Sequence, residues 1–277
     1  METCLEDAAW DIAFTSLRIG YGEHVVLDKI TARLPSGKIS VILGGSGCGK
    51  STLLRHIIGL ARPMQGSISI GGADLFSLTR RDFRRLRRQI GVLFQDGALL
   101  GAMTLAQNVA LPLSEHLALP RALVRREALR VLKMVELEDF ADFYPHQLSG
   151  GMRKRAGLAR AIITNPRVLL CDEPTSGLDP VTAARMDALL LSLHAQFPAM
   201  TIVSVSHDLM SLERIADYVL VLKDGLLHFA GDLAALKASQ DPYLTMFLSR
   251  QAATSLGDFS ESMDERVVSE LAKWFRA

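Results

Sequence analysis

The segment Gly44-Gly45-Ser46-Gly47-Cys48-Gly49-Lys50-Ser51 constrains the fold of this chain more than any other. It completes the pattern G-x-x-x-x-G-K-S between an apolar run over 39–43 and a second patterned run over 51–58. The first run reads as a buried strand. In the second, Leu53, Leu54, Ile57 and Ile58 share one helical face, and Gly59 and Pro63 end it. Strand, glycine loop and helix in that order form a cradle for phosphate. Glycines let successive backbone N–H groups curve around oxygen atoms with no Cβ in the way. The helix start adds the positive end of its dipole. Lys50 is then expected to neutralise the β- and γ-phosphates, and the Ser51 hydroxyl to ligate Mg²⁺, with Thr52 beside it.

A second element completes such a site. The apolar run 168–171 reads as a buried strand and ends in Asp172-Glu173. An isolated Asp-Glu pair is often a solvated turn. At the tip of a strand beside a phosphate loop, Asp172 is instead expected to partner Mg²⁺, and Glu173 to polarise an attacking water. Strand 201–205, helix 181–195 between the two strands, and a mostly helical stretch over 98–163 complete an α/β pattern with a largely parallel sheet.

Composition narrows the class. Lys and Arg number 31 against 30 Asp and Glu, which gives no electrostatic case for a nucleic-acid partner. The run Arg80-Arg81-Asp82-Phe83-Arg84-Arg85-Leu86-Arg87-Arg88 is basic, but its spacing suits a solvated helix face. Cys4, Cys48 and Cys171 are too scattered for a metal site or a disulfide framework. Cys48 and Cys171 read as small apolar fillers. The start METCLEDAAWDIAF lacks the charge and apolar core of a secretion signal. No apolar run approaches the roughly 18 residues of a membrane span, so this chain is not expected to be a pore.

The deciding segment is Leu148-Ser149-Gly150-Gly151-Met152, which opens a helix running through Leu158 and Ile162. Alone, Ser-Gly-Gly is an ordinary helix cap. Together with the other motifs, in this order, it makes the region from Tyr21 to about Gly231 resemble the nucleotide-binding domains of ABC transporters. The resemblance implies an α/β P-loop NTPase core of ABC-ATPase type with a helical subdomain and a small antiparallel β subdomain. It implies hydrolysis of ATP with Mg²⁺. Tyr21 matches the aromatic residue that stacks on adenine, although an aromatic here could equally be ordinary packing. Gly44, Gly45, Ser46, Gly47, Cys48, Gly49, Lys50 and Ser51 match the Walker A loop, and Gln95 the Q-loop residue facing Mg²⁺ and water. Ser149, Gly150 and Gly151 match the signature motif, Asp172 and Glu173 the Walker B pair. Ser176-Gly177-Leu178-Asp179 matches the D-loop, and His207 the switch histidine sensing the γ-phosphate. In that family two ATPs are sandwiched between two domains, each held by one Walker A loop and the other subunit's signature helix.

A narrower resemblance rests on Phe94-Gln95-Asp96-Gly97-Ala98-Leu99-Leu100, on Asn108-Val109-Ala110-Leu111-Pro112-Leu113-Ser114-Glu115-His116 and on Ser149-Gly150-Gly151-Met152-Arg153-Lys154-Arg155-Ala156. These look like the ATPases of MCE-associated, Mla-type phospholipid transporters, whose usual pattern has Phe where Leu100 stands. The resemblance implies a homodimer under two permease subunits at the cytoplasmic face of the inner membrane, with a STAS-like cytoplasmic protein and a periplasmic MCE lipid-binding protein. Two other readings stay open. One is an ABC transporter for another substrate. The other is a non-transport ABC ATPase, which would carry a coiled-coil insertion or a second Walker A loop, and this chain has neither. The expected layout is an ATPase domain over 10–248, with its helical subdomain at about 98–163, and an extension over 249–277. In that extension Met263, Val267, Leu271, Trp274 and Phe275 form one apolar stripe behind a Ser262–Glu265 capping box.

Overall fold

The computed structural model describes residues 9–45 and 47–249, so Ser46 and the expected helix over 262–275 lie outside the described residues. The chain divides into two compact units, Met1–Lys237 and Ala238–Ala277. The first unit begins with strands β1 (Ile12–Tyr21), β2 (His24–Leu34) and β3 (Ile39–Gly44), then helix α1 (Lys50–Ile57) and strands β4 (Gln65–Ile70) and β5 (Ala73–Asp74). Helix α2 (Arg80–Arg87) and strand β6 (Ile90–Leu93) follow, and then helices α3 (Leu105–His116), α4 (Arg121–Met134) and α5 (Gly150–Ile162). The chain returns to the sheet with β7 (Val168–Asp172), α6 (Pro180–Gln196), β8 (Thr201–Val205), α7 (Leu209–Ile215), β9 (Tyr218–Lys223) and β10 (Leu226–Asp232). Helices α8 (Leu233–Ala238) and α9 (Pro242–Ser249) close the described chain.

Two sheets result. One is antiparallel, in the order β2-β1-β4-β5. The other runs β10-β9-β3-β8-β7-β6, with β9, β3, β8, β7 and β6 mutually parallel and β10 an antiparallel edge. The apolar runs of β3, β7 and β8 are continuous because a parallel strand is covered on both faces. Ile42, Leu170, Val203 and Leu220 face a core shared with α1 and with Ile12, Phe14 and Ile30 of the antiparallel sheet. The alternate residues Val41, Leu169, Cys171, Ile202 and Val221 are buried as completely. Burial raises the Cys171 thiol to about 12, so this cysteine packs as a neutral apolar group.

Between β6 and β7 the described chain is helical. α3 starts on a capping box in which Thr104 and Gln107 satisfy each other's backbone N–H groups. α2 is capped by Thr79 and buries only Leu86, which leaves its arginines on solvated faces. α9, in the second unit, stacks Tyr243 on Phe247 at 5.9 Å.

Candidate nucleotide site

Strand register brings the motifs together. Ile42 of β3 pairs with Val205 of β8, Asp172 of β7 pairs with the same Val205, and Leu93 of β6 pairs with Cys171. The residues just beyond those pairs therefore leave four adjacent parallel strands at one edge: Gly44 and its loop, His207, Glu173 and Gln95. The carboxyl end of a parallel sheet is where α/β folds bind ligands.

The loop residues described suit a polyphosphate. Gly49 begins α1 with φ at +100°, and no side chain caps the helix, so its first N–H groups stay available to an anion. A Cβ added to Gly49 would lie 2.7 Å from Val26 Cγ1, so only glycine fits. The Lys50 ammonium is folded back over the loop, donating to the Gly44 and Gly45 carbonyls at 2.9 Å each. Among the described residues its third N–H meets only Cys48 Sγ, at 3.9 Å, leaving one strong donor for a phosphate oxygen.

The candidate metal donors are equally placed. Ser51 Oγ donates to Asp172 Oδ1 at 3.0 Å, although the two residues stand 121 positions apart. Burial holds the Asp172 carboxyl above the ordinary range, and the Ser51 hydrogen bond works against that shift. A hydroxyl and a carboxylate, both hard oxygens, are what Mg²⁺ takes from a protein when phosphates and waters complete its shell. These residues fit the ion.

Glu173 lies one residue beyond Asp172, with φ at +48°. His207 Nδ1 donates to Glu173 Oε1 at 3.2 Å. Gln95 is exposed in the turn after β6. Tyr21, half exposed at the end of β1, sits over α1, with its hydroxyl 3.3 Å from Thr52 Oγ1 and accepting from Arg55 at 3.4 Å.

Ser149, Gly150 and Gly151 are placed differently. Ser149 caps α5 by accepting from Met152 N, and both Ser149 and Gly150 are exposed. Gly151 lies against α6, where an added Cβ would come 2.6 Å from Thr182 Cγ2. α6 itself is capped by Asp179, which accepts from Val181 and Thr182 N–H groups.

Two residues of structural weight escape sequence reasoning. Lys154 is buried and, among the described residues, donates only to backbone carbonyls. Asn108 is fully buried and bonds the backbone of Leu100, Met103 and Thr104. The available signal was a polar residue at a core position of an otherwise apolar helical face.

Comparison with known proteins agrees with this geometry. A family model described as ABC transporter matches residues 27–176. The probable ribonucleotide transport ATP-binding protein mkl of Mycobacterium leprae is 38% identical over 266 residues, covering 96% of this chain and 76% of that protein. The methionine import ATP-binding protein MetN of Brucella abortus is 42% identical over 216 residues, 78% of this chain and 58% of MetN. Among solved structures, the dimeric ATP-binding cassette MJ0796 in a post-hydrolysis state with ADP and Pi has a TM-score of 0.73 at 33% identity, covering 80% of this chain and 98% of that one. CbiO1 of Clostridium perfringens, part of the transporter complex cbiONQ, has a TM-score of 0.75 at 27% identity, covering 97% and 100%. A phosphate cradle, a hydroxyl–carboxylate pair and a carboxylate held by a histidine, on a fold shared with these cassettes, have one common meaning: the chain belongs to the ABC transporter family, as an ATP-binding subunit that hydrolyses ATP with Mg²⁺.

Proposed function

We propose that this chain powers an Mla-type transporter moving phospholipid between the inner and outer membranes. The observation that carries the reading is the run over 94–116, where the F-Q-x-G-A-L pattern meets a loop pinned by a buried Asn108. Similarity to mkl over nearly the whole chain supports a transporter ATPase of this general kind. No helix among the described residues is long and apolar enough to cross a membrane. The chain would then work at the cytoplasmic face of the inner membrane, through two permease subunits. A STAS-like protein and a periplasmic MCE protein would complete the assembly.

In this reading Lys50 and the N–H groups of the Walker A loop bind the phosphates, Ser51 and Asp172 hold Mg²⁺, and Gln95 faces the metal and the water. Tyr21 packs on the adenine. Glu173 takes the proton of the attacking water, while His207 holds its Oε1. Ser149, Gly150 and Gly151 serve the nucleotide of a second copy, a role supported by the exposure of Ser149 and Gly150 and by the dimeric form of the MJ0796 cassette.

The test is purification with the proteins encoded beside it, followed by mass spectrometry of bound lipid. A permease carrying phospholipid supports the reading. A permease that binds a small solute instead favours the second reading, an importer for another substrate, which the MetN similarity supports.

A further inference from the structure

Lys154 lies on the second turn of α5, five residues beyond Ser149, and is only 5% exposed. An ammonium in such a place normally meets a carboxylate. Among the described residues none lies within ion-pair distance. Instead Nζ donates to the Glu173 carbonyl at 2.9 Å and to the Ser176 carbonyl at 2.6 Å. Burial pulls the ammonium below the usual lysine range, and the fields of Asp96, Glu173 and Asp172 oppose that pull. The two accepting carbonyls belong to the first and last residues of the turn leaving β7, whose own bond runs from Ser176 N to Glu173 O at 3.2 Å. Glu173 holds a left-handed φ that a residue with a Cβ resists, so its turn needs external support.

We propose that Lys154 is the positioning residue for Glu173, fixing the strained turn so that its carboxylate meets His207 and the attacking water. The inference rests on the reading of Glu173 as the proton acceptor. It also gives α5 a mechanical role. The same helix holds the turn that carries Gln95: Arg160 donates to the Gly97 and Ala98 carbonyls at 2.8 Å each. Gly157 packs there so tightly that its Cβ would stand 2.8 Å from Gly97 Cα. One rigid helix thus grips both water-facing turns, with Ser149, Gly150 and Gly151 at its start.

The test compares full-length wild type, Lys154→Met, Lys154→Arg, Glu173→Gln and the Lys154→Met/Glu173→Gln double variant. Steady-state kcat and KM are measured beside equilibrium binding of a fluorescent ATP analogue with Mg²⁺. Lys154→Met keeps the stem and removes the donors. It should lower kcat about 30- to 100-fold with nucleotide affinity within about twofold, as expected for a misplaced group. Lys154→Arg should recover most of the rate, and the double variant should be no slower than Glu173→Gln. Turnover of Lys154→Met within about threefold of wild type, or equal losses of rate and affinity, overturns the positioning role. Full turnover by Glu173→Gln overturns instead the reading on which it rests. If Lys154→Met does not fold, Lys154→Gln, whose amide reaches one carbonyl, is judged by the same criteria.

Discussion

Glu173 Oε1 accepts from His207 Nδ1 at 3.2 Å, bridging the tips of β7 and β8. The contact is set by backbone: Asp172 is registered with Val205, and Glu173 N donates to the Val205 carbonyl at 3.0 Å. Side chain and main chain together leave the carboxylate little freedom. Glu173→Gln keeps this placement and removes the proposed proton acceptor. Nucleotide affinity should therefore stay near wild type while kcat falls about 10²- to 10⁴-fold, the usual worth of general-base catalysis. An ATP-dependent dimer should accumulate, because the closed sandwich no longer discharges. Sedimentation velocity with and without MgATP checks it, and normal turnover removes Glu173 from the role.

Ser51 and Asp172 make the second prediction. Ser51→Ala removes one proposed metal oxygen and also the hydrogen bond that restrains the Asp172 carboxyl, which burial would then push further up. The Mg²⁺ concentration for half-maximal ATPase activity should rise by at least about tenfold, as for loss of a supporting ligand. Binding of ATP without metal should change little, since Lys50 and the loop are untouched. An unaltered Mg²⁺ titration would place the ion elsewhere.

The parts of this site that could be read from sequence are those whose partners stand close along the chain. Residues 44–51 carry their chemistry in one contiguous segment between a buried strand and a helix, and Asp172-Glu173 end a strand of four fully buried residues. The order β3-β8-β7-β6 carries no such mark, because parallel pairing joins segments far apart. β6 is only four residues long and includes Gly91, so it gives no strand signal of its own. Lys154 and Arg160 act on backbone carbonyls 19 and 62 positions away, and a carbonyl has no sequence signature. The apolar residues of 97–109 read alike in sequence and separate only in the fold. Leu105 is fully buried, Leu99 and Met103 are half-buried, and Leu100 is 45% exposed.

Asn108 explains how that loop is held, and it gives the third prediction. Oδ1 accepts from Leu100 N at 2.7 Å, and Nδ2 faces the carbonyls of Leu100, Met103 and Thr104 at 3.0–3.1 Å. Asn108→Leu keeps the apolar volume but leaves these backbone groups without partners in a buried place. The cost should be about 1–3 kcal/mol, read as a shift in urea midpoint with unchanged slope. Equal stability would mean that water or backbone rearrangement replaces the amide.

The last prediction concerns what Leu100 is for. It stands exposed on a loop whose backbone is fixed by Asn108, and Met103 close by lines an open groove of about 800 Å³ beside α3 and α4. Its exposed apolar side chain near that groove makes Leu100 a candidate contact for the proposed permease. In the proposed transporter that contact is a short cytoplasmic helix of the permease. Leu100→Glu should preserve the thermal midpoint and the basal ATPase rate of the isolated subunit, because the side chain is 45% exposed and lies outside the buried core. Transport by the reconstituted complex should fall at least about tenfold, the loss expected when one charge enters an apolar anchor point. Leu105→Ala is the contrasting change: Leu105 is fully buried, and its truncation should cost about 2–5 kcal/mol of stability. A complex carrying Leu100→Glu that transports at the normal rate would move the permease contact away from this loop.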